Sequence, residues 1–277
     1  MSIHGHCDDK FAAVREALEA AINSQNELGA SITVNIDGEN VIDLWGGYKD
    51  DTRTTLWDKD TIVNVFSTTK TISSLAMLVL IERGLIDPDE NVCKYWPEFA
   101  ANGKENVKIR HIMSHTSGLS GWETPITYND FYDFEKCANL LAEQAPWWEP
   151  GTTSGYHALT MGFLLGEVVR RVTGKGLRQF VQEELAKPLD ADFQIGANEK
   201  DWPRIATLST PLEDVAQPED SQLPPLALKT FAYPGVGELA AQVPTPAWRN
   251  ADVGAANGHG NARGINRILS VIALGGE

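Results

Sequence analysis

The feature that most constrains the fold is a run that is apolar on nearly every side, Thr71-Ile72-Ser73-Ser74-Leu75-Ala76-Met77-Leu78-Val79-Leu80-Ile81, opened by Phe66-Ser67-Thr68-Thr69-Lys70. A helix without a wide polar face must be covered by other elements on most of its circumference. Ser67 and Lys70 stand three residues apart, nearly one helical turn, so their side chains lie adjacent on one face. A serine hydroxyl becomes a nucleophile when a neighbouring base takes its proton, and a lysine does this when burial lowers its pKa. A lysine at the edge of this dry helix fits that requirement. The simpler alternative is a helix cap at Ser67 with Lys70 as a solvated charge, and a lone Ser-x-x-Lys does not decide between them.

The 277 residues are enough for one large domain or two intimately packed ones. A net charge of −15, without any basic run, argues against nucleic acid or an anionic membrane surface as partner. Acid appears early in Met1-Ser2-Ile3-His4-Gly5-His6-Cys7-Asp8-Asp9, unlike a signal peptide, and Leu75 to Ile81 is too short to span a bilayer. Cys7, Cys93 and Cys137 are few and widely spaced, which suits a reducing compartment, and the expected location is cytoplasmic.

Along the chain, Asp8 or Asp9 can cap a first helix with Phe11, Val14, Leu18, Ala21 and Ile22 on one face. Ser31 to Ile36 and Val41 to Trp45 read as strands joined by a hairpin turn at Asp37-Gly38-Glu39-Asn40. The Ser67 helix stops at Gly84. Further helices are expected at Val107–Ser114, Phe131–Gln144, Ala158–Thr173, Leu177–Ala186 and Asn261–Leu274. Eight of the 14 prolines fall between Pro203 and Pro246, so residues 201–250 are expected to be long ordered loop. The division expected is 1–83 as the first part of an α/β domain, 84–260 as a helical, loop-rich region, and 261–277 as a helix returning to the α/β domain. One hairpin is marginal alone, so the sheet reads as incomplete.

Trp147-Trp148-Glu149-Pro150-Gly151-Thr152-Thr153-Ser154-Gly155-Tyr156 places a turn and a polar loop before a helix, where the Tyr156 phenol can project into a cleft and pass a proton. Tyrosines at such junctions also commonly only pack. Ser67-Thr68-Thr69-Lys70, then Arg110-His111-Ile112-Met113-Ser114-His115-Thr116-Ser117-Gly118-Leu119, then Pro150-Gly151 with Tyr156, occur in an order that resembles the serine β-lactamase-like hydrolases. The likeness is closest to the class C-related branch that contains family VIII carboxylesterases and transesterases. Val92 to Phe99 and Gly258 to Gly264 resemble it too.

That resemblance implies an α/β (α+β) fold of antiparallel sheet and helices, and a covalent acyl-serine route with Ser67 as nucleophile, Lys70 as base and Tyr156 as proton relay. It implies a small ester or acyl substrate and no cofactor or metal. Acyl transfer is the alternative to hydrolysis, and β-lactam or D-peptide cleavage a further one. Where the family with lactamase or peptidase activity shows Tyr-x-Asn, this chain has Tyr156-His157-Ala158, which favours esters. The family's third motif lies on a C-terminal strand that supplies an oxyanion donor. Gly258-His259-Gly260 is expected to belong instead to the Asn-capped start of the last helix, leaving His259 structural. With Gly275-Gly276-Glu277 arriving before such a strand, the expectation is a sheet needing a complementing C-terminal segment or self-association, and the rival is a catalytically incomplete chain.

His4, His6 and Cys7 have metal-ligating side chains, but they lie in a terminal tail with no obvious fourth ligand, so no metal site is expected there. His111 and His115 lack the glutamate of a zinc site and are expected to bond the loop through Ser117-Gly118. Trp147, Trp148, Trp202 and Trp248 either wall an acyl pocket or fill the interior.

Overall fold

The computed structural model describes residues 2–209 and 224–276. Two small antiparallel sheets accompany a helical core. The first runs in the order β1-β3-β2, from β1 (His4–Cys7), β2 (Gly29–Ile36) and β3 (Glu39–Gly47). β2 and β3 meet at Asp37 (φ +51°) and Gly38 (φ +89°), the two left-handed residues of a tight hairpin turn. Asn35 closes it by accepting the Gly38 N–H at 3.0 Å.

In the register, Ile32 faces Leu44 and Val34 faces Ile42, so these apolar side chains share one face. Leu18 and Ile22 of α1 (Ala12–Asn23) complete that cluster with Val14 and Phe11. Neither Asp8 nor Asp9 caps α1. A 3-10 turn at Asp9–Phe11 intervenes, and Asp8 instead binds His6 at 2.8 Å. The opposite face is polar and meets α11 (Ala262–Ala273), where Arg263 forms an ion pair with Asp43 at 2.7 Å.

β4 (Val63–Asn64), β6 (Gly258–Gly260) and β5 (Phe193–Ile195) form the second sheet, in the order β4-β6-β5. The expectation for Gly258-His259-Gly260 is corrected here: it is a strand, with Asn261 capping α11 only after it. β1, β4 and β5 also lay outside the strands expected. Each is four residues or fewer, too short for alternation to register.

The core helix α2 (Thr68–Glu82) packs against α6 (Thr160–Thr173) and α7 (Leu177–Val181). Ile72, Ala76, Met77 and Leu80 are fully buried, while Thr71 and Leu78 keep a narrow stripe open. α3 (Ile109–Met113), α4 (Tyr128–Phe131) and α5 (Phe134–Glu143) build the outer layer. Phe163 of α6 holds it in place, with Trp122, Phe131 and Phe134 each 5.3 Å away. The ring quadrupoles favour edge-on and offset-stacked pairs, and here Trp122 is edge-on and Phe134 stacked. α6 ends at Gly174, whose φ of +72° makes a left-handed cap.

Residues 201–250 are not a long loop where they are described. They contain α8 (Pro225–Thr230), α9 (Leu239–Gln242) and α10 (Pro246–Asn250), besides a 3-10 turn at Glu199–Arg204. Pro225 and Pro246 occupy first-turn positions, where the missing N–H costs nothing, so here proline starts helices rather than excluding them. The rest of that expectation, residues 210–223, lies outside the described residues. Among the described residues no helix is long and apolar enough to cross a membrane.

Candidate active site

β4 delivers the chain to a sharp turn before α2. Phe66 has φ +42°, a left-handed conformation costly for a bulky side chain, and it rotates Ser67 onto the surface as the chain enters the helix. The turn is tied down by Thr69, whose hydroxyl donates to the Phe66 carbonyl at 2.5 Å and accepts the Gly258 N–H at 2.8 Å. The Val65 N–H reaches the Gly258 carbonyl at 2.8 Å. β6 can come this close because residue 258 is glycine. A Cβ there would stand 2.6 Å from Thr69 Oγ1 and 2.8 Å from the Phe193 ring.

Ser67 makes no side-chain cap bond, so the capping alternative does not hold. Its Oγ lies 3.1 Å from Lys70 Nζ and accepts from the Tyr156 hydroxyl at 2.6 Å. The structure thus brings together all three side chains singled out from the sequence. No acceptor among the described residues takes the Ser67 backbone N–H at the helix start.

Lys70 is buried beneath the exposed serine, and that burial pushes its pKa down, while its link to the Tyr156 hydroxyl pulls the other way. Nζ donates to the Ala158 and Ala255 carbonyls, each at 2.8 Å. A neutral amine has two N–H bonds and one lone pair. As an ammonium, Nζ donates its third N–H to Ser67 Oγ; once that proton is lost and both remaining N–H groups stay on the carbonyls, the lone pair is left for the serine. Ala158 therefore enters through its backbone oxygen, and its methyl offers no amide to a substrate. The Tyr156 ring sits 4.9 Å from Nζ and the residue is 45% exposed, so the site is open.

His111 and His115 do not bond the Ser117-Gly118 turn. His111 Nδ1 accepts the Lys108 N–H at 3.2 Å, and His115 Nδ1 accepts the His157 N–H at 3.1 Å. Ser117 pairs with His157 Nε2 at 2.7 Å. Of the tryptophans, Trp248 is core, donating to Asn64 at 2.8 Å, and Trp148 backs the Tyr156 loop against Gly155 and His157. His259 is buried with Nδ1 2.8 Å from the Asn257 carbonyl. His4, His6 and Cys7 share β1, and no group of His, Cys, Asp or Glu able to hold a metal occurs among the described residues.

Sequence reasoning missed Thr69, the Ala158 and Ala255 carbonyls, and the strained Phe66. Backbone acceptors leave no trace in residue identity, and only the threonine within the tetrad offered a signal.

A buried Ser-x-x-Lys helix beside short antiparallel sheets, with a tyrosine brought onto the serine, defines the β-lactamase and penicillin-binding-protein class of fold. The chain belongs to the β-lactamase family, whose Beta-lactamase model matches residues 13–277. It is 35% identical over 288 residues to the esterase/beta-lactamase LipL of Mycobacterium tuberculosis, an alignment covering 99% of this chain and 65% of that protein. The chain thus spans just under two thirds of this relative's length. A family VIII carboxylesterase structure is 38% identical with a TM-score of 0.90, covering 99% of this chain and 72% of that one. A penicillin-binding protein homologue from Caulobacter crescentus is 35% identical, also at 0.90, over 100% of this chain and 73% of that one.

Proposed function

We propose that this chain is the acylating part of a serine hydrolase that cleaves small esters through a covalent acyl-serine. The observation that carries the reading is Lys70, with two carbonyls holding its N–H groups and Ser67 Oγ at 3.1 Å on the remaining position.

Lys70 takes the Ser67 proton as Oγ bonds to the ester carbonyl carbon. The oxygen gains negative charge against the free Ser67 N–H, at the positive end of α2. The tetrahedral adduct collapses, the C–O bond to the alcohol breaks, and Tyr156 gives its hydroxyl proton to the leaving alkoxide, to be reprotonated from the Lys70 ammonium. Water then attacks the acyl-serine by the same proton route in reverse, releasing the acid and restoring Ser67. The Ala158 methyl supports esters over β-lactams. Acyl transfer is the second reading, favoured by the openness at Tyr156, because an alcohol can enter where water does. The free thiols of Cys7, Cys93 and Cys137 support a reducing, cytoplasmic setting.

The test is turnover of p-nitrophenyl butyrate by the purified chain beside Ser67→Ala. Turnover that disappears in the variant is expected. Equal rates from folded wild type and variant would sink the proposal, and added alcohol that raises ester formation at the expense of acid would favour transfer.

A further inference from the structure

Tyr156 reaches Ser67 from a loop, not from a regular element, so something outside that loop must hold it. Both backbone N–H groups that flank Tyr156 end on one residue. The Gly155 N–H donates to the His115 carbonyl at 3.0 Å, and the His157 N–H donates to His115 Nδ1 at 3.1 Å. The His115 ring is in contact with the rings of both Tyr156 and His157, with centroids 5.0 Å and 5.3 Å away. His115 itself has φ +63°, which turns its carbonyl and its ring toward the same strand of chain.

We infer that His115 is the positioning residue for Tyr156, acting through the lone pair on Nδ1 as a clamp on the loop that carries the phenol. The inference rests on the ester-hydrolase reading only for its activity readout.

The clamp needs one tautomer. Nδ1 must be an acceptor, so the ring proton sits on Nε2. Protonating His115 would set an N–H against the His157 N–H and release that side of the loop. Around the ring, burial and the Lys70 charge both hold its pKa down, keeping it neutral. The titratable groups facing it are Lys70, Tyr156 and His157. His157 is held neutral by burial, to about 4, and its Nδ1–H donates to the Gly155 carbonyl at 2.6 Å. The loop is thereby stiffened internally while His115 fixes it to the body.

The test compares His115→Asn with His115→Gly. Both residues tolerate a positive φ. The asparagine Oδ1 falls close to the position of Nδ1 and accepts the same bond, whereas glycine removes the acceptor. His115→Asn should keep kcat within about threefold of wild type. His115→Gly should lose on the order of 10²-fold in kcat with KM little changed, the scale of a misplaced catalytic group. Hydrogen exchange at the His157 amide gives a readout independent of turnover: protected in wild type and His115→Asn, fast in His115→Gly.

Equal kcat and equal His157 protection in the two variants would overturn the inference. So would a His115→Asn variant that folds normally yet falls with glycine. If wild type itself matches Ser67→Ala, the hydrolase reading fails, and the exchange comparison alone decides the clamp.

Discussion

In the proposed reaction Lys70 is the base, and its environment fixes the sign of its pH response. Burial is the largest influence on it and lowers its pKa. As the proposed base, Lys70 acts only when neutral, so kcat/KM for an ester should rise with pH as its proton is lost, giving an acid limb below the ordinary lysine value. Lys70→Arg, always charged, should drop turnover by about 10²–10⁴-fold and abolish that limb. A variant retaining the wild-type acid limb would assign the limb to another group. Ser67, Lys70 and Tyr156 were legible in the sequence because each contributes a side chain at a recognisable spacing. The partners that determine what Lys70 can do were not. The Ala158 and Ala255 oxygens are backbone atoms, 88 and 185 residues away along the chain, and any residue type could have supplied them.

Among the elements, α2 was legible by its apolar run and α11 by its asparagine cap, whereas β4, β5 and β6 were not. Periodicity needs several alternations, and a strand of two or three residues shows none. Yet β6 is what supports the turn that carries Ser67. Thr69→Val keeps the volume but strands the buried Gly258 N–H, which should cost about 1–3 kcal/mol in urea denaturation. Gly258→Ala should cost a similar amount, since its Cβ has no room beside Phe193 and Thr69. Wild-type stability in both variants would mean that β6 and the turn are not coupled. The proline-rich segment misled for a related reason: proline excludes helix interiors but favours first turns, and only the surrounding packing shows which applies at Pro225 and Pro246.

For the whole molecule, burying two neutral histidines ties stability to pH. Burial lowers both His157 and His259 to about 4, against an ordinary 6.5. Between those values the unfolded chain binds more protons than the folded one, so stability is full above pH 6.5 and falls as the pH drops toward 4. Each group contributes on the order of 3 kcal/mol across the window. Urea midpoints at pH 7 and pH 5 check this, and an unchanged midpoint would show that neither ring is held neutral by the fold. The sequence by itself determined the acidic surface charge, the buried core helix, the Ser-x-x-Lys pair, the tyrosine and the mixed α/β class, because side-chain identity and short-range spacing carry those properties. Only the tertiary structure decided which carbonyls receive the Lys70 amine, that His115 grips the tyrosine loop, and that Gly258-His259-Gly260 is a strand. Those depend on atoms far apart along the chain, and close packing alone brings them within a hydrogen bond's length.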